Sequence, residues 1–196
     1  MNALELADWR QRIAALYLSN VDIHGFRSGR ADLFRTHAQS PVPPGAPGPR
    51  YFDPDPAYVA EVAIEPADGT IDIDTGGPDG VVRYERVGNL ATPWGPLMLW
   101  WIQAYGGGLF LPFRDGTCGH ETYGGGRYLT DTVKGTHGRG VEWLGGGRIR
   151  LDFNYAYNPS CAYSEEWLCP LAPPENRVGE EIRAGELTYE QALADF

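Results

Sequence analysis

Apolar residues sit at helical spacing at the start of the chain and at alternating positions over most of the rest. Leu6, Trp9, Ile13 and Leu16 recur at intervals of three and four, with Glu5, Arg10, Gln11 and Arg12 elsewhere, which predicts an amphipathic opening helix. A second short helix is expected over Arg30 to Ala38. It cannot continue through Ser40 to Arg50 (SPVPPGAPGPR), because proline lacks an amide donor and restricts the residue before it. That stretch reads as a loop or arm wrapped on the domain. From Tyr58 the runs YVAEVAIE, TIDID, VVRYERV, PLMLWWIQAY, GLFLPF, RYLTDTV and RIRLDFNYAY are β-rich and are separated by Gly, Pro, Asp and Asn. They predict six to eight antiparallel strands. The clearest is Arg148 to Tyr157, where Ile149, Leu151, Phe153, Tyr155 and Tyr157 alternate with Arg148, Arg150, Asp152, Asn154 and Ala156. A TYEQ capping box at Thr188 to Gln191 predicts a short terminal helix over Tyr189 to Asp195.

The 196 residues suit one domain, in which 1–50 supply a helix and a Pro-rich arm packed on a β core at 51–196; the first fifty could hardly bury a core alone. The expected fold is mainly β, an antiparallel β-barrel or curved β-sandwich with an N-terminal helix and a short C-terminal helix. The 26 glycines and 16 prolines fit many turns. The triplets Gly106 to Gly108, Gly124 to Gly126 and Gly145 to Gly147 read as turns, since neither P-loop spacing nor GxGxxG opening a helix is present. A formal net charge of -10 argues against nucleic acid and anionic membranes as partners. The most apolar run, Pro96 to Ile102, is too short to span a bilayer, and the first residues lack the basic start and unbroken apolar core of a signal peptide. A soluble, cytoplasmic protein is expected. Cys118, Cys161 and Cys169 then read as free thiols.

Candidate chemistry concentrates in three dense stretches, Phe113 to Leu129 (FRDGTCGHETYGGGRYL), Asp152 to Tyr163 (DFNYAYNPSCAY) and Cys169 to Arg177 (CPLAPPENR). Loops carried on a rigid scaffold often hold functional side chains. In an enzyme, Glu121 or Asp152 would serve as acid or base, Tyr123 as proton donor and Arg127 as a forked clamp on a carboxylate or phosphate. Asp115, Thr122, Asn154, Asn158, Glu175 and Asn176 complete the expected ligand-binding set. Cys161 is a candidate nucleophile if a base or cation lowers its pKa, and otherwise a small buried hydrophobe. Arg127 could equally pair with Glu121, Asp115 or Asp152 and pin the hairpin.

Cys118, His120, Cys161 and Cys169 do not match the spacing of zinc knuckles, so no metal and no cofactor are expected. His24, His37 and His137 read as surface residues, and Trp94, Trp100 and Trp101 as core. The CPLAPPEN segment should lie over aromatic rings such as Trp167, Tyr163 or Tyr157.

FxDxTxGxETYGGGRYL, DFNYAYNPxCAY, CPLxPPEN and the closing IRAGE at Ile182 to Glu186 together resemble the bacterial and archaeal family known as domain of unknown function 1684. The likeness extends weakly upstream through Ser40, Pro41, Tyr51 and Phe52. It implies a single, mostly β domain and brings no activity, substrate or cofactor. Two functional readings follow from the residues. One is recognition of a small polar or anionic metabolite in a barrel mouth edged by Asp115 to Arg127 and Asn158 to Asn176, with or without metal-free acid/base chemistry. The other is a non-catalytic structural or protein-interaction module whose motif residues form a loop-stabilising hydrogen-bond network. An interaction platform built on the Ser40 to Arg50 arm is a weaker variant of the second.

Overall fold

The computed structural model describes residues 2–77 and 80–189. Helix α1 (Ala3–Leu18) opens at Asn2, whose side chain accepts from the Leu4 amide. Helix α2 (Ile23–Thr36) begins well before the expected Arg30 because Asp22 caps it, accepting from the Gly25 amide at 2.7 Å. Phe26, Arg30 and Phe34 share its buried stripe. The helix expected over Tyr189 to Asp195 falls, Tyr189 apart, outside the described residues.

Among the described residues eight strands follow: β1 (Val59–Pro66), β2 (Thr70–Asp74), β3 (Val81–Thr92), β4 (Gly95–Ile102), β5 (Gly108–Phe113), β6 (Arg127–Asp131), β7 (Val141–Gly145) and β8 (Arg148–Asp152). All pairings are antiparallel, in the order β6-β5-β4-β3-β1-β8-β7, with β2 on the first half of β3. The protein is therefore mainly β, a single sheet curled into a half-barrel with two helices at its N-terminal end. The outer edge of β6 meets Tyr157 instead of β7. Tyr128 and Tyr157 exchange backbone hydrogen bonds at 2.8 and 2.9 Å, which occupies the edge that a closed barrel would use.

Two details of the strand expectations change. The run from Arg148 stops at Asp152, not Tyr157, because the Asp152 carboxylate accepts from the Asn154 amide at 3.0 Å and draws Phe153–Tyr155 into a 3-10 turn. Strand β7 lies outside the predicted runs, since Glu142, Trp143 and Leu144 are all exposed and leave no alternation to read. It forms as half of a hairpin with β8, turned by Gly145, Gly146 and Gly147, all at positive φ.

Strands β4 to β6 are buried on both faces, which explains the unbroken apolar run of β4. Leu97, Leu99, Leu111, Phe113 and Leu129 line the concave side with Leu151 and Phe153. Met98, Trp100, Phe110 and Tyr128 point the other way, against Ile13, Tyr17 and Phe26 of the helices. Trp101 is the exception to the core expectation: it lies near the end of β4, opposite Leu109, and is 40% exposed. The arm at Ser40 to Arg50 wraps back, and Val42 packs with Phe34 and Tyr163. Over the concave side runs a strap, residues 176–187, which contributes Val178, Ile182 and Ala184 to the same core.

Phe153 closes this core, with its ring 5.1 Å from Phe113 and 4.9 Å from Trp94. Phe153→Ala should lower the unfolding free energy by about 3–5 kcal/mol, measured by urea denaturation against the wild-type protein.

Candidate functional site

The motif residues do not converge on one open space. Arg127 is fully buried on the concave face of β6, above the Phe113 ring at 5.0 Å. Gly126 places it there: at φ 94° a side chain on this residue would meet the Phe113 carbonyl oxygen at 2.6 Å. Arg127 Nη2 donates to Asp115 Oδ1 at 3.1 Å and to the Ile182 carbonyl at 2.8 Å, and Nη1 donates to the carbonyls of Ala184 and Glu186. Asp115 Oδ2 accepts from the Thr117 hydroxyl and from the Ile182 amide, each at 2.8 Å. The Thr117 hydroxyl also meets that of Thr122 at 2.8 Å. Burial pushes the Arg127 pKa down, and the Asp115 carboxylate opposes that shift. Of the three expected partners for Arg127, Asp115 is the one it takes; both terminal nitrogens are committed, and Nε is buried without a partner.

The other candidates are dispersed. Asn176 accepts from Trp100 Nε1 at 2.9 Å and donates to the carbonyls of Met98 and Pro112, each at 2.8 Å. Asn154 exchanges hydrogen bonds with the Asp55 backbone and also donates to Asp152, so that pair fastens the turn after β8. Glu175 faces outward and pairs with Arg86 at 2.7 Å. Glu121 pairs with Arg183 at 3.2 Å. The Tyr123 hydroxyl donates to Cys161 Sγ at 3.7 Å, and burial followed by that bond pushes its pKa up to about 12. His37, expected at the surface, is largely buried against Trp9 and bonds Asp8 at 3.0 Å. In CPLAPPEN the Pro170 carbonyl accepts from the Tyr128 hydroxyl, a ring outside the expected set.

A second buried charge lies at the end of the strap. Glu186 is fully buried, pairs with Arg30 Nε at 2.7 Å, and accepts from the Asn158 amide at 2.8 Å and from the Tyr163 hydroxyl. The Asn158 side chain donates onward to the Leu187 carbonyl at 2.8 Å. Burial works against the charge on Arg30, but the Glu186 carboxylate together with the Tyr17, Tyr163 and Tyr51 phenols outweighs it, so the guanidinium is held firmly protonated. Its Cζ lies 4.7 Å from the Phe34 ring centroid and 5.3 Å from that of Tyr157. Among the described residues, neither terminal nitrogen of Arg30 has a hydrogen-bond partner.

Arg30 lines a pocket of about 50 Å³ between the helices and the sheet, enough for a few waters or one compact ligand. Lys134, Thr136, Asn158 and Ser160 supply its polar wall, and Trp9, Ile13, Phe34 and Pro41 its apolar one. The Asn158 side-chain oxygen is buried without a partner. Burial raises the pKa of Tyr128, Tyr157 and Tyr163 well above the ordinary phenol value, so these hydroxyls stay protonated. Among the described residues, no three His, Cys, Asp or Glu side chains group as a metal site would require, and no helix is long and apolar enough to cross a membrane.

The sequence reading named Asn158 and missed Arg30, Lys134 and Ser160. A signal for Arg30 existed, since Phe26, Arg30 and Phe34 repeat at intervals of four and put an arginine in the middle of an apolar stripe. Starting the second helix at Arg30 hid that repeat. Glu186 was visible inside IRAGE but had no partner that spacing alone could supply.

Residues 47–187 match the family model described as a protein of unknown function (DUF1684). The chain belongs to the DUF1684 family. Its fold is also similar to the solution NMR structure of an uncharacterised protein from Haloarcula marismortui, at 32% identity and a TM-score of 0.58, covering 95% of this chain and 98% of that one. A comparison with curated proteins finds no match. The family motifs FxDxTxGxETYGGGRYL and IRAGE are the two ends of the Arg127 network, joined across the concave side.

Removing one member of a buried pair strands the other charge, so Arg127→Ala should destabilise the protein by about 3–5 kcal/mol in urea denaturation. The Arg127→Ala/Asp115→Ala double variant should lose less than the sum of the two single changes, because neither charge is then left alone.

Proposed function

We propose that this DUF1684 protein binds a small anionic metabolite through Arg30, in the pocket between the helices and the sheet, and performs no chemistry on it. The observation that carries this reading is the arginine itself: nearly fully buried, fixed through Nε to Glu186, and left with two unpartnered terminal nitrogens on a pocket wall. A guanidinium so held offers a forked pair of donors that matches a carboxylate or phosphate edge. Lys134 adds a second cation, and Ser160 and Thr136 add hydroxyls. The unpaired Asn158 oxygen favours a ligand that also carries a hydroxyl or amine donor.

The pocket size supports a compact ligand, such as a short hydroxy acid or an inorganic oxyanion. Catalysis is not favoured, because the phenols around the pocket are held protonated and Glu186 is engaged by Arg30, Asn158 and Tyr163. The motif residues act as the frame of the pocket. A purely structural role is the competing reading, supported by how fully Asp115 and Asn176 are satisfied and by the commitment of both Arg127 terminal nitrogens. The unpaired thiols Cys118, Cys161 and Cys169 fit a reducing, cytoplasmic setting.

Thermal melts and titration calorimetry with phosphate, lactate and acetate, and with glycerol as the neutral control, test the proposal. At least one anion should raise Tm while glycerol does not. Arg30→Lys should weaken that binding by roughly tenfold or more. Lys134→Ala changes a half-exposed side chain and should weaken it several-fold without lowering Tm in the absence of ligand. No response of the wild-type protein to any anion, or undiminished binding by Arg30→Lys, would overturn the reading.

A further inference from the structure

Lys134, on the wall of the Arg30 pocket, is also paired with a carboxylate that the fold does not otherwise use. Asp131 ends β6, and its side chain is 4% exposed. The turn that follows, Thr132–Lys134, takes no side-chain cap from it. Thr136 fastens the turn instead: its hydroxyl accepts from the Asp131 amide at 2.6 Å and donates to the Asp131 carbonyl at 2.9 Å. The carboxylate is left with Oδ1 buried and without a partner, and with Oδ2 3.9 Å from Lys134 Nζ. Among the described residues Lys134 is its only ion-pair partner. The Val133 and Lys134 amides, and Arg10 on α1 beyond ion-pair distance, also favour its charge. The remaining titratable groups that face it are the phenols of Tyr128 and Tyr157, both held protonated.

We propose, resting on the anion-pocket reading above, that Asp131 makes binding in this pocket proton-linked: the anion competes with the carboxylate for Lys134, and Asp131 takes up a proton as the site fills. A buried carboxylate that loses its counter-charge neutralises, because water is not there to solvate it. Burial already pushes the Asp131 carboxyl above the usual carboxylate range, and Lys134 is the foremost group opposing that shift. A bound anion acts twice, and both effects have the same sign. It draws on the ammonium that stabilises the carboxylate, and it brings a second negative charge to the same lysine.

The Asp131 pKa is therefore higher in the filled site than in the empty one, and the pH dependence follows from that order. Below the empty-site pKa the carboxyl is protonated in both states, and affinity is highest and does not change with pH. Between the two pKa values filling the site takes up a proton, so affinity falls as pH rises, by up to about tenfold per pH unit. Above both values Asp131 stays ionised throughout, and affinity is lowest. Arg30 contributes nothing to this dependence, since Glu186 and the phenols around it keep the guanidinium charged. The pocket is thus built to hold its anion in the more acid range and to release it as pH rises.

The test is titration calorimetry with sulfate and with lactate, neither of which titrates between about pH 5.5 and 8, in two buffers of different ionisation enthalpy. The wild-type protein should take up a net proton on binding, and its affinity should fall as pH rises. Asp131→Asn keeps the size of the side chain and removes the titrating group, so it should bind without net uptake and lose the pH dependence. Lys134→Ala decides the matter if that variant does not fold: with the lysine gone the buried carboxyl is neutral before the anion arrives, and the weaker binding that remains should carry no uptake. Binding without uptake in the wild-type protein, or uptake that persists in Asp131→Asn or Lys134→Ala, overturns the proton linkage and leaves the anion pocket standing. Absence of binding at every pH refutes the pocket, and the linkage with it.

Discussion

Arg127 from the sheet and Arg30 from the helix layer both bind the short strap Ile182 to Glu186, and the arrangement of the other parts depends on that double attachment. An open half-barrel has a concave side that must be covered, or its apolar lining stays in water. The strap covers it with Ile182 and Ala184, but a single extended segment cannot satisfy its own backbone groups. Arg127 supplies donors for the carbonyls of Ile182, Ala184 and Glu186, and Asp115 accepts from the Ile182 amide. The pair thus substitutes for the neighbouring strands that a closed barrel would have provided.

Buried ion pairs contribute little net stability, because desolvation offsets most of their attraction. Their effect here is on specificity. Shifting the strap by one residue would exchange its amides and carbonyls in front of Asp115 and Arg127 and leave two charges uncompensated. Glu186 extends the same control to the other layer, since Arg30, the Asn158 amide and the Tyr163 hydroxyl all close on one carboxylate. One consequence is a division of labour along the motifs. The residues that look most chemical in the sequence are occupied in holding the strap, while the open donors lie beside them on the helix layer.

Much of the fold was legible in the sequence. Seven of the eight strands coincide with runs of alternating or continuous apolar residues, and α1 with its stripe, because burial of a face imposes a period on the chain. The exceptions have local causes. Strand β7 buries too little to carry a pattern, and the run after Asp152 is ended by one side-chain hydrogen bond that leaves the alternation of Phe153, Tyr155 and Tyr157 intact on paper. The candidate site was legible only as a set of residues. Arg127 and Asp115 were both named and they do pair, yet Glu175 turns outward to Arg86 and Asn176 serves Trp100.

By itself, then, the sequence determined a mostly β chain with an amphipathic opening helix, turn-forming glycine triplets, acidic charge, and motifs dense enough to place it in a family. Those properties follow from local periodicity and composition, which act over a few residues. Tertiary structure alone decided that the sheet stops at a half-barrel, that IRAGE crosses its hollow to meet Arg127, and that Arg30 finds Glu186. Each of these joins residues far apart in the chain or dissimilar in pattern, and such contacts are set by which surfaces remain to be covered once the local elements have formed.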